Sequence, residues 1–112
     1  MNITTEQYEG ILNSAPPDHN SVEFIDFLRE QNVVILETPE WIVIENIKRH
    51  TVESPWYTAF LKCDGYIFDY VLQLLQWEFP EYNMLLHSVY TTSVKRKHVH
   101  LLRADKQYTI EP

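Results

Sequence analysis

At 112 residues, with 45% hydrophobic and 13% aromatic side chains, the chain can bury one core and is too apolar to stay disordered. Cys63 stands alone, which excludes an internal disulfide and a cysteine-built zinc cage, and two glycines exclude collagen-like repeats. The net charge of −7 is uneven: residues 1–47 carry nine acids against Arg29 alone (net −8), whereas residues 95–106 carry five bases against Asp105 (net +4).

The chain opens with helical signals. Thr4 or Thr5 can cap a short helix with Tyr8, Ile11 and Leu12 on one face, stopped by Pro16-Pro17. Asn20, with Glu23 three residues later, resembles a capping box for a second helix that buries Phe24, Ile25, Phe27 and Leu28. No charged leader with an apolar core precedes it, and no apolar run reaches 18 residues, so a soluble cytoplasmic protein is expected.

Strand chemistry follows. Val33-Val34-Ile35-Leu36 and Trp41-Ile42-Val43-Ile44 are β-branched runs around the turn Glu37-Thr38-Pro39-Glu40, which predicts a hairpin. Trp56 to Lys62 is a third strand. Asp64 then caps a helix whose core stripe runs through Ile67, Phe68, Val71, Leu72, Leu74 and Leu75 and ends near Pro80. Met84 to Thr91 and Lys97 to Arg103 are the last main strands, paired through the loop 92–96, and Tyr108 to Ile110 adds a short edge strand. One 1–112 domain is expected, with 1–31 as a helical N-terminal extension and 33–112 as a sheet-and-helix core. The class is α+β: an antiparallel sheet of about five strands with one long helix between strands. Trp41, Trp56 and Trp77 are expected as core or edge packing, and Cys63 as an inert side chain at a strand end.

The densest chemistry lies in the basic strip. On a strand, His98 and His100 point to one face while Val99 and Leu101 point to the other, giving a titratable face backed by an apolar one. Lys95, Arg96, Lys97 and Arg103 at its ends suit an anionic ligand such as a phosphate. Duplex nucleic acid is a poor partner, because nonspecific affinity scales with the phosphates neutralised and the rest of the chain is acidic. Such a pair can equally be a solvated polar face, or two ligands of a zinc ion completed by His87 on the neighbouring strand. His19 and His50 read as loop residues.

Three segments in this order resemble the histidine triad (HIT) family of nucleotide hydrolases and transferases. Residues 35–46 are similar to its opening hairpin, which ends in an Asn or Asp that contacts the nucleoside, here Asn46. Tyr82-Asn83-Met84-Leu85-Leu86-His87 resembles the strand before the active site, and His98-Val99-His100-Leu101 matches the start of the family's His-φ-His-φ-His-φ-φ. Leu102 replaces the third histidine, and no glycine-rich loop stands in 91–97. A second register sets Arg96, His98 and His100 on the three positions and fits Leu101-Leu102 to the closing pair. The first register makes His100 the nucleophile and needs no gap back to Tyr82; the second makes it His98.

The resemblance implies attack by a neutral imidazole on the α-phosphorus of a nucleotide, then release of the nucleotidyl-histidine by water. Such a nucleophile needs one ring nitrogen unprotonated and the other held by an acceptor. Ser93, Lys95 and Arg96 would receive the phosphate, Asn46 the nucleoside, and no cofactor is required. One lost electrostatic donor costs about a hundredfold or more in rate, so Leu102 implies reduced or redirected turnover of a phosphoanhydride or phosphoramidate bond. Two readings stand beside it: a HIT-like binding or regulatory module without turnover, and an acidic inhibitor that docks a protein through Glu23, Asp26 and Glu30. A homodimer is an expectation of the resemblance alone.

Overall fold

The computed structural model describes residues 5–45, 57–62, 65–86 and 94–103. In chain order the elements are α1 (Thr5–Asn13), α2 (Val22–Gln31), β1 (Val34–Glu37), β2 (Trp41–Glu45), β3 (Tyr57–Leu61), α3 (Phe68–Glu78), β4 (Tyr82–Leu86) and β5 (His98–Arg103). The five strands form one antiparallel sheet in the order β1-β2-β3-β5-β4. The α+β class follows directly.

The β1–β2 hairpin closes where Thr38 N donates to Trp41 O at 2.8 Å and Thr38 Oγ1 accepts from the backbone N–H groups of Glu40 and Trp41. Its register slips between Val34 and Leu36, so Val34 packs on the α2 side of the sheet and Leu36 on the α3 side, while Ile35 is left 37% exposed. Trp41, Ile42, Val43 and Ile44 are all buried, which a strand shows only when both its faces are covered.

Alternation along the strands separates two cores. One face carries Ile42, Ile44 and Phe60 against Phe24, Ile25, Phe27 and Leu28 of α2, with Val94 at its margin. The other carries Trp41, Val43, Ala59, Leu61, Val99 and Leu101 against Val71 and Leu75 of α3. Each large apolar side chain buried this way contributes about 1.5–3 kcal/mol, and α2 supplies four of them to its side of the sheet. Trp41 anchors the opposite layer, its Nε1 donating to Val71 O at 2.8 Å. Two helices of similar length, α2 of 10 residues and α3 of 11, therefore flank the sheet where one long helix was expected.

Local details differ from expectation for identifiable reasons. Ser21, not Asn20, caps α2: its backbone is extended and its Oγ accepts from Phe24 N at 3.2 Å. Asn20 instead closes a turn on Asp18, donating from its N–H to Oδ1 at 2.9 Å. The N-cap of α3 is Ile67, without a side-chain cap; the expected cap Asp64 lies outside the described residues. Gly65 precedes that helix with φ at 98°, in the left-handed region open to glycine, and turns the chain late. Ile67 is 77% exposed and Trp77 67% exposed, so neither joins the core. Trp56, Cys63, His50 and the 108–110 segment lie outside the described residues.

An ion network ties helix to sheet edge. Arg29 donates from Nε and Nη2 to Glu37 at 3.0 and 2.8 Å and from Nη1 to Asp26 at 2.8 Å, while Lys62 Nζ reaches Glu37 at 2.7 Å. These two cations hold the Glu37 carboxyl at about 2, well below its usual range. No helix among the described residues is long and apolar enough to cross a membrane.

Candidate functional site

The pairs Phe60↔His98 and Thr58↔His100 fix the two imidazoles on the α2 side of the sheet, beside β3. Their rings meet edge to face, with centroids 5.4 Å apart. They differ in depth: His98 is 6% exposed with its ring 5.2 Å from that of Phe60, at the margin of the α2 core, and His100 is half-buried one step further along the strand. On β4, the same face presents Leu85 opposite His100 and the exposed Asn83 opposite Leu102.

The ring partners define the chemistry. His98 Nδ1 lies 2.7 Å from Arg96 O. A carbonyl oxygen only accepts, so Nδ1 carries the proton and the lone pair of the neutral ring is on Nε2. His100 Nδ1 lies 3.1 Å from Thr58 Oγ1, a hydroxyl that can donate or accept and that is itself buried. Of the two, His98 has the tautomer set unambiguously, as a nucleophilic imidazole requires.

Arg96 sits in the wall of the site. It is 5% exposed, and its guanidinium donates from Nε to Leu61 O at 2.6 Å, from Nη1 to His19 O at 3.1 Å and Ser21 O at 3.4 Å, and from Nη2 to Lys62 O. These bonds join the end of β3, the α1–α2 loop and the start of β5, and they hold the carbonyl that orients His98. The side chain expected to receive a phosphate is thus engaged as a brace. Lys95 is exposed in its side chain, and its backbone N–H donates to His19 Nδ1 at 3.0 Å. Lys97 turns to the other side of the sheet, with Nζ 4.3 Å from the Phe68 ring centroid.

The remaining sequence candidates, Asn46, His87 and Ser93, lie outside the described residues. So does the third ligand of the zinc alternative; among the described residues no group of three or more His, Cys, Asp or Glu is placed to hold a metal ion.

Two contributors were missed in the sequence. Thr58 could have been found from alternation, since it shares a face with Phe60 two residues on in a predicted strand. His19 reads as a loop residue, yet its ring lies 4.7 Å from that of Phe24, its Nδ1 accepts from Lys95 and its carbonyl accepts from Arg96. Burial on Phe24 holds its pKa below the ordinary imidazole value, Asp18 opposing and Lys95 adding to the shift. No local signal announces a partner 76 residues away.

No protein-family model, curated protein or solved structure matches this chain.

Proposed function

We propose that this chain is a HIT-like nucleotide-binding protein that takes a nucleotide phosphate on the His98–His100 face and cleaves a phosphoanhydride or phosphoramidate bond through His98. The observation that carries the reading is the bond between His98 Nδ1 and Arg96 O, which leaves the lone pair on Nε2. The order hairpin, third strand, helix, β4–β5 pair is the order the resemblance calls for, and supports it.

The reaction balances in two steps. The Nε2 lone pair attacks the α-phosphorus; an N–P bond forms, the bond to the leaving oxygen or nitrogen breaks, and the leaving group takes a proton from water. Water then attacks phosphorus, loses its proton to solvent, and releases the nucleotide with the electron pair returning to Nε2. His100, held by Thr58, lines the approach and offers a hydrogen bond to a phosphate oxygen. Lys95, Ser93 and Asn46 keep the phosphate and nucleoside roles given by the resemblance.

The test is turnover of dinucleoside polyphosphates and nucleoside phosphoramidates, with trapping of a nucleotidyl adduct by intact-protein mass spectrometry. The adduct is expected on the wild type and absent in His98→Ala. Turnover unchanged in both His98→Ala and His100→Ala refutes the enzyme reading. A binding module without turnover is the second reading. It is favoured by the 6% exposure of His98 and by the carbonyls that occupy Arg96. Nucleotides would then raise the unfolding temperature and be recovered unchanged.

A further inference from the structure

The turn that leads into α2 is fastened to the segment before β5 with donors on one side and acceptors on the other. The Lys95 backbone N–H donates to His19 Nδ1 at 3.0 Å, and Arg96 Nη1 donates to His19 O at 3.1 Å and to Ser21 O at 3.4 Å. An imidazole nitrogen accepts only while it holds a lone pair, so the bond from Lys95 requires a neutral His19 with its proton on Nε2. Uptake of a second proton sets Nδ1–H against the Lys95 N–H, donor facing donor.

The surroundings add to that mismatch. Lys95 and Arg96 bring cations from the β5 side, and Asp18 on the turn opposes them while its Oδ1 accepts from Asn20 N at 2.9 Å. From α2 the His19 ring meets Phe24, and the neighbouring Glu23 is exposed. Beyond Phe24 stand Phe60 of β3 and then His98, with successive ring centroids 6.3 and 5.2 Å apart. Burial already holds His19 below the ordinary imidazole range.

The turn moves as one piece. Ser21 donates from N and Oγ to Asp18 O at 3.2 and 2.7 Å, and its Oγ accepts from Phe24 N at 3.2 Å, so the turn carries the cap of α2 with it. Release from residues 95 and 96 therefore loosens the first turn of α2. It also frees Phe24, the ring that stands between His19 and the Phe60–His98 pair.

We propose that His19 is a proton-operated latch: neutral, it keeps the α1–α2 loop closed over the margin where His98 lies; protonated, it releases the loop and opens His98 to solvent. The opening is independent of the chemistry assigned to His98; only its meaning as control of nucleotide access rests on that reading.

Nuclear magnetic resonance of the full chain between about pH 8 and about pH 5, without nucleotide, tests it. The Lys95 amide is expected to shift with the midpoint of the His19 ring. Its hydrogen-exchange protection should fall about tenfold on protonation, since a directional bond gives way to a repulsive contact. Relaxation of His98 Hε1 by a neutral, soluble gadolinium chelate should rise with the same midpoint. His19→Gln offers an acceptor that does not titrate, and should make both readouts independent of pH. His19→Phe keeps a ring on Phe24 without an acceptor, and should show the open values at about pH 8. A Lys95 amide indifferent to the His19 titration overturns the proposal. So does a His98 exposure that still follows pH in His19→Gln, because the proton of His98 itself then accounts for it. Loss of protection at low pH that extends to the β2–β3 pair also overturns it, because the whole domain then opens. Nucleotide turnover enters none of these readouts, so the latch and the enzyme reading fail separately.

Discussion

Replacing Arg96 decides between a brace and a phosphate ligand. Arg96→Met keeps the length and apolar stem of the side chain and removes every N–H donor. Bonds to Leu61 O, Lys62 O and His19 O are lost, together with a longer one to Ser21 O. Hydrogen bonds from a charged donor contribute about 1.5–3 kcal/mol each, and part of that sum returns because a buried guanidinium no longer has to be desolvated. A net loss of about 3–4 kcal/mol follows, because the Leu61 and Lys62 carbonyls are left without this donor at the strand end. For a chain of this length each kcal/mol moves the melting temperature by about 4–5 °C, so a drop on the order of 15 °C is expected in calorimetry. Arg96→Lys retains the charge but cannot fork to carbonyls on separate segments, and should lose about half as much. A loss below about 1 kcal/mol in Arg96→Met, with nucleotide affinity abolished, would refute the brace and return the guanidinium to the phosphate.

Three further outcomes can be measured. Since the folded-state pKa of His19 is depressed, the unfolded chain takes the proton first; stability is full above about pH 6.5 and falls as the pH drops through the window below it. Urea midpoints against pH should show that slope, flattened in His19→Gln. Glu37 is also depressed, to about 2 from 4.5, so its contribution is present above pH 4.5 and is lost as the pH falls toward 2; Glu37→Gln should cost about 1 kcal/mol at pH 7 and lessen the acid sensitivity. Thr58→Val keeps the shape of the strand and removes the hydroxyl from His100 Nδ1, costing about 1 kcal/mol in urea unfolding and changing the His100 ring ¹⁵N chemical shifts by NMR; Thr58→Ser should restore both.

Much of the fold was written in local pattern. The β-branched runs around Thr38-Pro39, the apolar spacing of Phe24 to Leu28 and the alternation of His98 to Leu101 depend on neighbours one to four residues away, and each became the element expected. Period 2 alone placed both histidines on one face, and the β3–β5 register kept them there. Helix starts were less legible, because Asn20 and Ser21 offer equal capping chemistry and only the Asp18 turn selects Ser21.

Burial and partnership were decided elsewhere. An imidazole in a strand has the same sequence signature whether it packs on Phe60 or faces a ligand, and an arginine in a basic strip looks alike whether it meets phosphate or four carbonyls. Those choices depend on contacts 34 to 77 residues apart, made when α2 and the α1–α2 loop close over the sheet. The apolar stripe of α3 shows the same division. The sequence marks Ile67, Leu74 and Trp77 as apolar at helical spacing, and only the placement of α3 on the sheet decides that Val71 and Leu75 are covered while Ile67 and Trp77 are not. A helix can turn just one side to a sheet, so a chain that makes both sides apolar fixes the helix but leaves its orientation to the tertiary fold.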